Sequence, residues 1–120
     1  IADRRIAICD AGMTELLRPA LYGAEHPFTF ITDTAGRNTG RVDLVGPACE
    51  SGDFLGKDRE MTLPEPGDLI AVGYAGAYAR VMASQYNARP LAPEVLAEAG
   101  GWRVIRDRPV INSLLDGERA

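Results

Sequence analysis

The sequence predicts a mainly β domain, an antiparallel β-sandwich or barrel-like arrangement carrying one or two short helices. Two observations predict it. The apolar runs are short and closely spaced, and Gly or Pro residues punctuate nearly every gap between them, as in all-β domains. The same pattern also fits a mixed α+β sheet. At 120 residues the chain has the length of one domain, residues 1–120, able to bury roughly two-thirds of its unfolded surface.

Residues 5–10 read as a strand, with Ile6 and Ile8 on one face and Ala7 and Cys9 on the other. Gly12 breaks it, and Thr14 is placed to cap a short helix through Leu17. Pro19 disfavours helical geometry at Arg18, so that helix should end or kink there. Residues 27–32 and 41–45 read as strands joined into a hairpin by the turn-rich stretch 33–40. The turn Leu63-Pro64-Glu65-Pro66-Gly67-Asp68 delivers Leu69-Ile70-Ala71-Val72 as an apolar strand, which Gly73 and Gly76 break just before Tyr78. Val95-Leu96-Ala97-Glu98 and Trp102-Arg103-Val104-Ile105-Arg106 flank Gly100-Gly101 as a second hairpin, and residues 110–115 suit a short helix. There is no internal repeat and no low-complexity stretch.

With 46% hydrophobic and 25% charged residues the composition is ordinary for a globular protein. A net charge of −4 and a pI near 4.9 speak against nucleic acid, which asks for a clustered basic face. No apolar run approaches the roughly 20 residues of a membrane-spanning helix. The opening Ile-Ala-Asp-Arg-Arg lacks the pattern of a signal peptide, and the missing initiator Met suggests a piece of a longer chain. Cys9 sits in an apolar run as a small buried hydrophobe. Cys9 and Cys49 form no secreted-type framework, and although sequence leaves a disulfide between them open, both are expected reduced in a cytoplasmic protein. His26 is the only histidine, without a partner ligand nearby in sequence, so no metal site is expected and a capping or packing role is.

Four places carry groups suited to chemistry. Within Gly46-Pro47-Ala48-Cys49-Glu50-Ser51-Gly52-Asp53-Phe54-Leu55 a thiol and a carboxylate are adjacent in a glycine-rich loop after an apolar strand. They read either as a buried Cys ending a strand beside a surface Glu, or as a thiol acid with a carboxylate to receive an ammonium group. Arg18 and Tyr22 stand four residues apart, where helical spacing would put guanidinium and phenol on one face to hold a carboxylate. A surface Arg and a core-edge Tyr are the plain alternative. Tyr78 is either a packed aromatic or a neutral phenol donor for a phosphate. Lys57 is the only lysine, but its neighbourhood Lys57-Asp58-Arg59-Glu60 keeps an amine protonated, so it is rejected as a catalytic amine.

Taken in order, the segments Asp10-Ala11-Gly12-Met13-Thr14-Glu15-Leu16-Leu17-Arg18-Pro19-Ala20-Leu21-Tyr22-Gly23, the Cys49-Glu50 run and Gly76-Ala77-Tyr78-Ala79-Arg80-Val81-Met82-Ala83-Ser84-Gln85-Tyr86-Asn87 closely resemble the C-terminal domain of the diaminopimelate decarboxylases. These are pyridoxal-phosphate-dependent enzymes of the alanine racemase-like, fold-type III group. The resemblance runs from about Ile6 to about Gly117, with minor departures at Tyr74 and Gln85.

It selects the β-sandwich or barrel-like fold over the α+β alternative. It implies a pyridoxal phosphate cofactor whose Schiff-base lysine lies in an N-terminal (β/α)8 barrel that this chain lacks, and relatives also draw part of this domain from their N-terminus. It implies a homodimer with shared active sites, in which Cys49 would protonate the substrate carbon across the interface. Glu50 would contact the distal amino group, and Arg18 and Tyr22 the distal carboxylate. Tyr78 would reach the cofactor phosphate and the substrate region, while Tyr86 and Asn87 are assigned to structure. Ornithine decarboxylases carry Asp where Glu50 stands, so Glu50 and, more strongly, Arg18 favour a diamino dicarboxylic acid. Other readings are a carboxynorspermidine or ornithine-type decarboxylase, or a non-catalytic dimerisation or regulatory module.

Overall fold

A computed structural model describes residues 4–118. Strands dominate it: β1 (Arg4–Ile8), β2 (Phe28–Phe30), β3 (Thr39–Val45), β4 (Phe54–Thr62), β5 (Ile70–Val72), β6 (Glu94–Glu98) and β7 (Gly101–Arg106). Two short helices, α1 (Arg18–Tyr22) and α2 (Ala79–Met82), and 3₁₀ turns at Tyr86–Ala88 and Ile111–Leu115 complete it. The mainly β fold with short helices is the one expected. Its strands form three open sheets, ordered β1-β3-β4, β2-β5 and β6-β7, and no barrel closes among the described residues.

β3 is the centre of the larger sheet, parallel to β1 (Ile6 opposite Asp43, Ile8 opposite Val45) and antiparallel to β4. Its alternation buries Val42 and Leu44, which form the core with Leu16 and Leu55. Phe28, Ile70 and Val72 of the β2-β5 sheet pack onto that core. One joint between the sheets is Gly56, where an added Cβ would lie 2.9 Å from the Phe28 ring. β1 is divided as its alternation predicts. Ala7 and Cys9 pack on the core, while Ile6 and Ile8 are exposed beside a cleft of about 910 Å³ bounded by residues 64–70.

Three expectations are corrected. Residues 27–32 and 41–45 do not pair: β2 pairs with β5, whereas both edges of β3 are taken by β1 and β4. The 33–40 stretch crosses between sheets and is held by Arg37, whose Nη1 donates to Asp68 Oδ2 at 2.6 Å. No helix spans 14–17. A single turn forms there, with the Glu15 and Leu16 amides both donating to Gly12 O (3.0 and 2.9 Å), and the Thr14 hydroxyl donates to the Glu15 carboxylate instead of capping. Pro19 opens a helix where the sequence reading ended one. As the second residue of the first turn it has a fixed φ that suits the helix, and its missing N–H is one that would have no intrahelical partner. Gly23 at φ 64° closes α1 in the left-handed conformation. The 95–98/102–106 hairpin is present, and 110–115 forms a 3₁₀ turn at Ile111–Leu115.

β4 has no clear strand signature because charges fill its middle, and its path is irregular. Residues 57 and 58 oppose Asp43 alone, between the pairs Leu44–Gly56 and Val42–Arg59. This is a β-bulge, with Asp58 at φ 54° and its amide donating to Asp43 Oδ1 at 2.6 Å.

Candidate active site

β3 runs directly into the loop 46–53, which folds back on itself. The Gly46 amide donates to Asp53 O (2.9 Å), the Asp53 amide to Glu50 O (3.0 Å) and the Glu50 amide to Ala48 O (2.9 Å). Asp53 organises this loop, and sequence reasoning passed over it. It is 5% exposed; its Oδ1 accepts the Met13 amide at 2.7 Å and its Oδ2 the Ala48 amide at 2.5 Å. One carboxylate thus joins the loop to the turn after β1. Gly12 and Gly46 make room for it, since a Cβ on either would stand 2.1 Å from Asp53 Oδ1. The available signal was an acid closing a glycine-rich loop, with a second glycine in the preceding turn.

The loop presents Cys49 and Glu50 exposed near its tip, and Cys49 is a free thiol. Both Glu50 oxygens are held: Oε1 accepts the Gly52 amide at 3.0 Å and Oε2 the Tyr86 hydroxyl at 3.4 Å. Tyr86, assigned to structure from sequence, therefore touches a candidate site residue. The loop runs beside α1, where a Cβ on Gly52 would be 3.9 Å from Ala20.

α1 carries Arg18 and Tyr22 one turn apart, as their spacing requires. The half-buried Arg18 guanidinium lies 5.7 Å from the Tyr22 ring centroid and 5.7 Å from that of Tyr78. Both distances are within cation–π range. Two aromatic neighbours restrain a long side chain that would otherwise sample many rotamers, and the N–H groups on its rim stay available to an anion. Tyr78 arrives on the segment after β5, with Tyr74 at φ 53° and Tyr78 at φ 68°, conformations that non-glycine residues rarely adopt. Arg18, Tyr22, Tyr78 and Met82 line an open recess of about 440 Å³. One guanidinium and two phenols form a donor set for an oxyanion, carboxylate or phosphate.

The structure thus brings together Arg18, Tyr22 and Tyr78, and places Cys49 and Glu50 on the neighbouring loop outside the residues that line the recess. Lys57 also lies outside it, with Nζ 3.9 Å from the Phe54 ring centroid on the exposed side of β4. His26 is buried, with Nδ1 3.0 Å from Gly73 O. Cys9 is free and half-buried, and burial, reinforced by Asp10, pushes its thiol up from its ordinary value. No helix among the described residues is long and apolar enough to cross a membrane.

Residues 2–76 match the family described as pyridoxal-dependent decarboxylase, C-terminal sheet domain. The diaminopimelate decarboxylase of Helicobacter pylori is 46% identical over 112 residues, which is 93% of this chain and 28% of that protein. The Pseudomonas aeruginosa diaminopimelate decarboxylase is 49% identical over 114 residues, 93% of this chain and 26% of its own length. A crystal structure of the Helicobacter pylori enzyme complexed with L-lysine superposes with a TM-score of 0.85 at 44% identity, covering 92% of this chain and 27% of that one. The chain therefore spans between a quarter and a third of the length of these relatives. On the family match and the shared sheet architecture, the chain belongs to the pyridoxal-dependent decarboxylases and corresponds to their C-terminal sheet domain.

Proposed function

We propose that residues 1–120 are the C-terminal domain of a diaminopimelate decarboxylase, the enzyme that converts meso-2,6-diaminopimelate to L-lysine and CO2 in lysine biosynthesis. The observation that carries this reading is Arg18, whose guanidinium lies 5.7 Å from the ring centroids of both Tyr22 and Tyr78 in an open recess. A fixed guanidinium suits the second carboxylate that separates diaminopimelate from lysine and ornithine. In this reading Arg18 and the Tyr22 hydroxyl bind the distal carboxylate, and Glu50, oriented by Gly52 and Tyr86, takes the distal ammonium. The Tyr78 phenol, the remaining donor of the recess, would hold the phosphate of pyridoxal phosphate. When bound, the cofactor supplies the electron sink for the loss of CO2. The Cys49 thiol then delivers a proton to the substrate carbon that has lost CO2.

Cys49 is exposed and lies outside the recess lining. This favours a homodimer in which the loop of one subunit completes the site of the other. An N-terminal (β/α)8 barrel within the remaining length seen in relatives supplies the Schiff-base lysine, so the isolated 120-residue chain is inactive. Two free cysteines suit a cytoplasmic protein.

The test is Arg18→Ala in the full-length enzyme, assayed with diaminopimelate, lysine and ornithine. Loss of a charge-assisted pair of about 1.5–3 kcal/mol predicts one to two decades off kcat/KM for diaminopimelate and little change for the two monocarboxylates. An equal loss for all three would make Arg18 a structural residue and remove the basis for the substrate assignment.

A further inference from the structure

The recess is built from two stretches of chain, 18–22 and 78–82. One pair of their flanks is joined by the Ser84 amide donating to Thr14 O at 3.0 Å, and the other pair meets at Gly73. The Gly73 amide donates to Pro27 O at 2.8 Å, and its carbonyl oxygen lies 3.0 Å from His26 Nδ1. His26 is 4% exposed, and its Nε2 is buried with no hydrogen-bond partner among the described residues. The nitrogen facing a carbonyl must carry the proton, so the imidazole engages through Nδ1–H alone. The approach is close enough to require glycine, because a Cβ on Gly73 would meet Pro27 Cγ at 2.8 Å. Immediately beyond this joint the chain passes through two left-handed tyrosines, Tyr74 and Tyr78. Conformations of that kind persist only where their surroundings hold them.

We infer that His26 is a positioning residue. By donating Nδ1–H to the Gly73 carbonyl it ties the exit of α1 to the segment that carries Tyr78, and so sets where the Tyr78 phenol stands opposite Arg18 and Tyr22. The inference rests on the reading of Tyr78 as a site residue.

In the full-length enzyme, Asn at position 26 keeps an amide donor near the Nδ1 position, whereas Gln moves it to the Nε2 position. His26→Asn should hold KM for diaminopimelate within about twofold. His26→Gln should raise it about five- to tenfold, the weight of one hydrogen bond, with kcat little changed. Hydrogen exchange should quicken at the 74–78 amides of His26→Gln and stay unchanged in β3 and β4. The kinetic effect should vanish in a Tyr78→Phe background, because coupling through the hydroxyl is non-additive. If Asn and Gln behave alike, or if the Gln effect persists undiminished with Tyr78→Phe, His26 only packs and the inference is overturned. If Tyr78→Phe is itself silent, the reading of Tyr78 falls, and the inference with it. Should His26→Gln not fold, Gly73→Ala perturbs the same joint through Pro27. A raised KM that depends on the Tyr78 hydroxyl supports the inference, and an unchanged KM overturns it.

Discussion

Replacing Asp53 with Ala should release the loop that presents Cys49 and Glu50, while the sheets beneath it stay folded. The magnitude follows from the contacts. The carboxylate accepts two backbone amides, Met13 at 2.7 Å and Ala48 at 2.5 Å, and is 5% exposed. A hydrogen bond to a charged group contributes about 1.5–3 kcal/mol net. Water can reach part of the freed amides, so the lower figure applies to each and the pair totals about 3 kcal/mol. At about 1.4 kcal/mol per decade, exchange at the Met13 and Ala48 amides should accelerate roughly a hundredfold if the opening is local. Amides in the centre of β3 should be unaffected. Hydrogen exchange followed by mass spectrometry on the full-length protein reads both sets in one experiment. Gly46→Ala should act similarly, because its Cβ would stand 2.4 Å from Asp53 Cγ and would displace the carboxylate. Wild-type exchange at Met13 and Ala48 in Asp53→Ala would refute the reasoning: the loop would then be held by its own backbone bonds, and the carboxylate would be incidental.

Two further outcomes are expected. Cys49→Ala in the full-length enzyme should lower kcat by about 10²–10⁴-fold, the usual cost of losing a positioned proton donor, with KM nearly constant. A rate within a few-fold of wild type and a raised KM would make Cys49 a wall of the site and not its acid. On acidification, the 63–68 turn should loosen before the core does. The hydrogen bond from Arg37, followed by the Glu65 amide, holds the Asp68 carboxyl below the ordinary carboxylate range. Since the folded value lies below the unfolded one of about 3.9, this stabilisation is complete above that pH and is lost as pH falls through the folded value. Protection of the Glu65 amide should therefore persist to about pH 4 and then fade, and in Arg37→Ala it should fade at higher pH. Fading at the same pH in both proteins would exclude Arg37 as the cause.

What could be read from the sequence was what is decided locally. Alternation in residues 5–10 separates Ile6 and Ile8 from Ala7 and Cys9 as the fold does, because strand period is a property of the backbone itself. The Arg18–Tyr22 spacing places both groups on one helix face even though the start of the helix was misplaced. Pro19 is compatible with a first turn and hostile to a later one, and only the following fold decides which applies. Partner choice was not legible. The stretches 27–32 and 41–45 look like a hairpin because the turn-rich residues between them permit one. β3 is claimed on both edges, by β1 from far upstream and by β4, whose run Lys57-Asp58-Arg59-Glu60 hides its strand character.

The same division runs through the site. Cys49, Glu50, Arg18, Tyr22 and Tyr78 are conspicuous because their chemistry is on display in short segments. The residues that aim them are ordinary in sequence and act at long range. Asp53 reaches Met13 across 40 positions, and His26 reaches Gly73 across 47. Neither contact follows from a period or a motif, because each arises only when separate segments converge. Both involve a buried polar group, which is costly unless paired, and in both a glycine lies at the joint because a Cβ would not fit. A buried polar side chain facing glycine backbone is thus the common signature of the supporting groups. It follows that alanine at Gly12, Gly46 or Gly73, positions with no chemistry of their own, should impair the site as surely as losses within the recess.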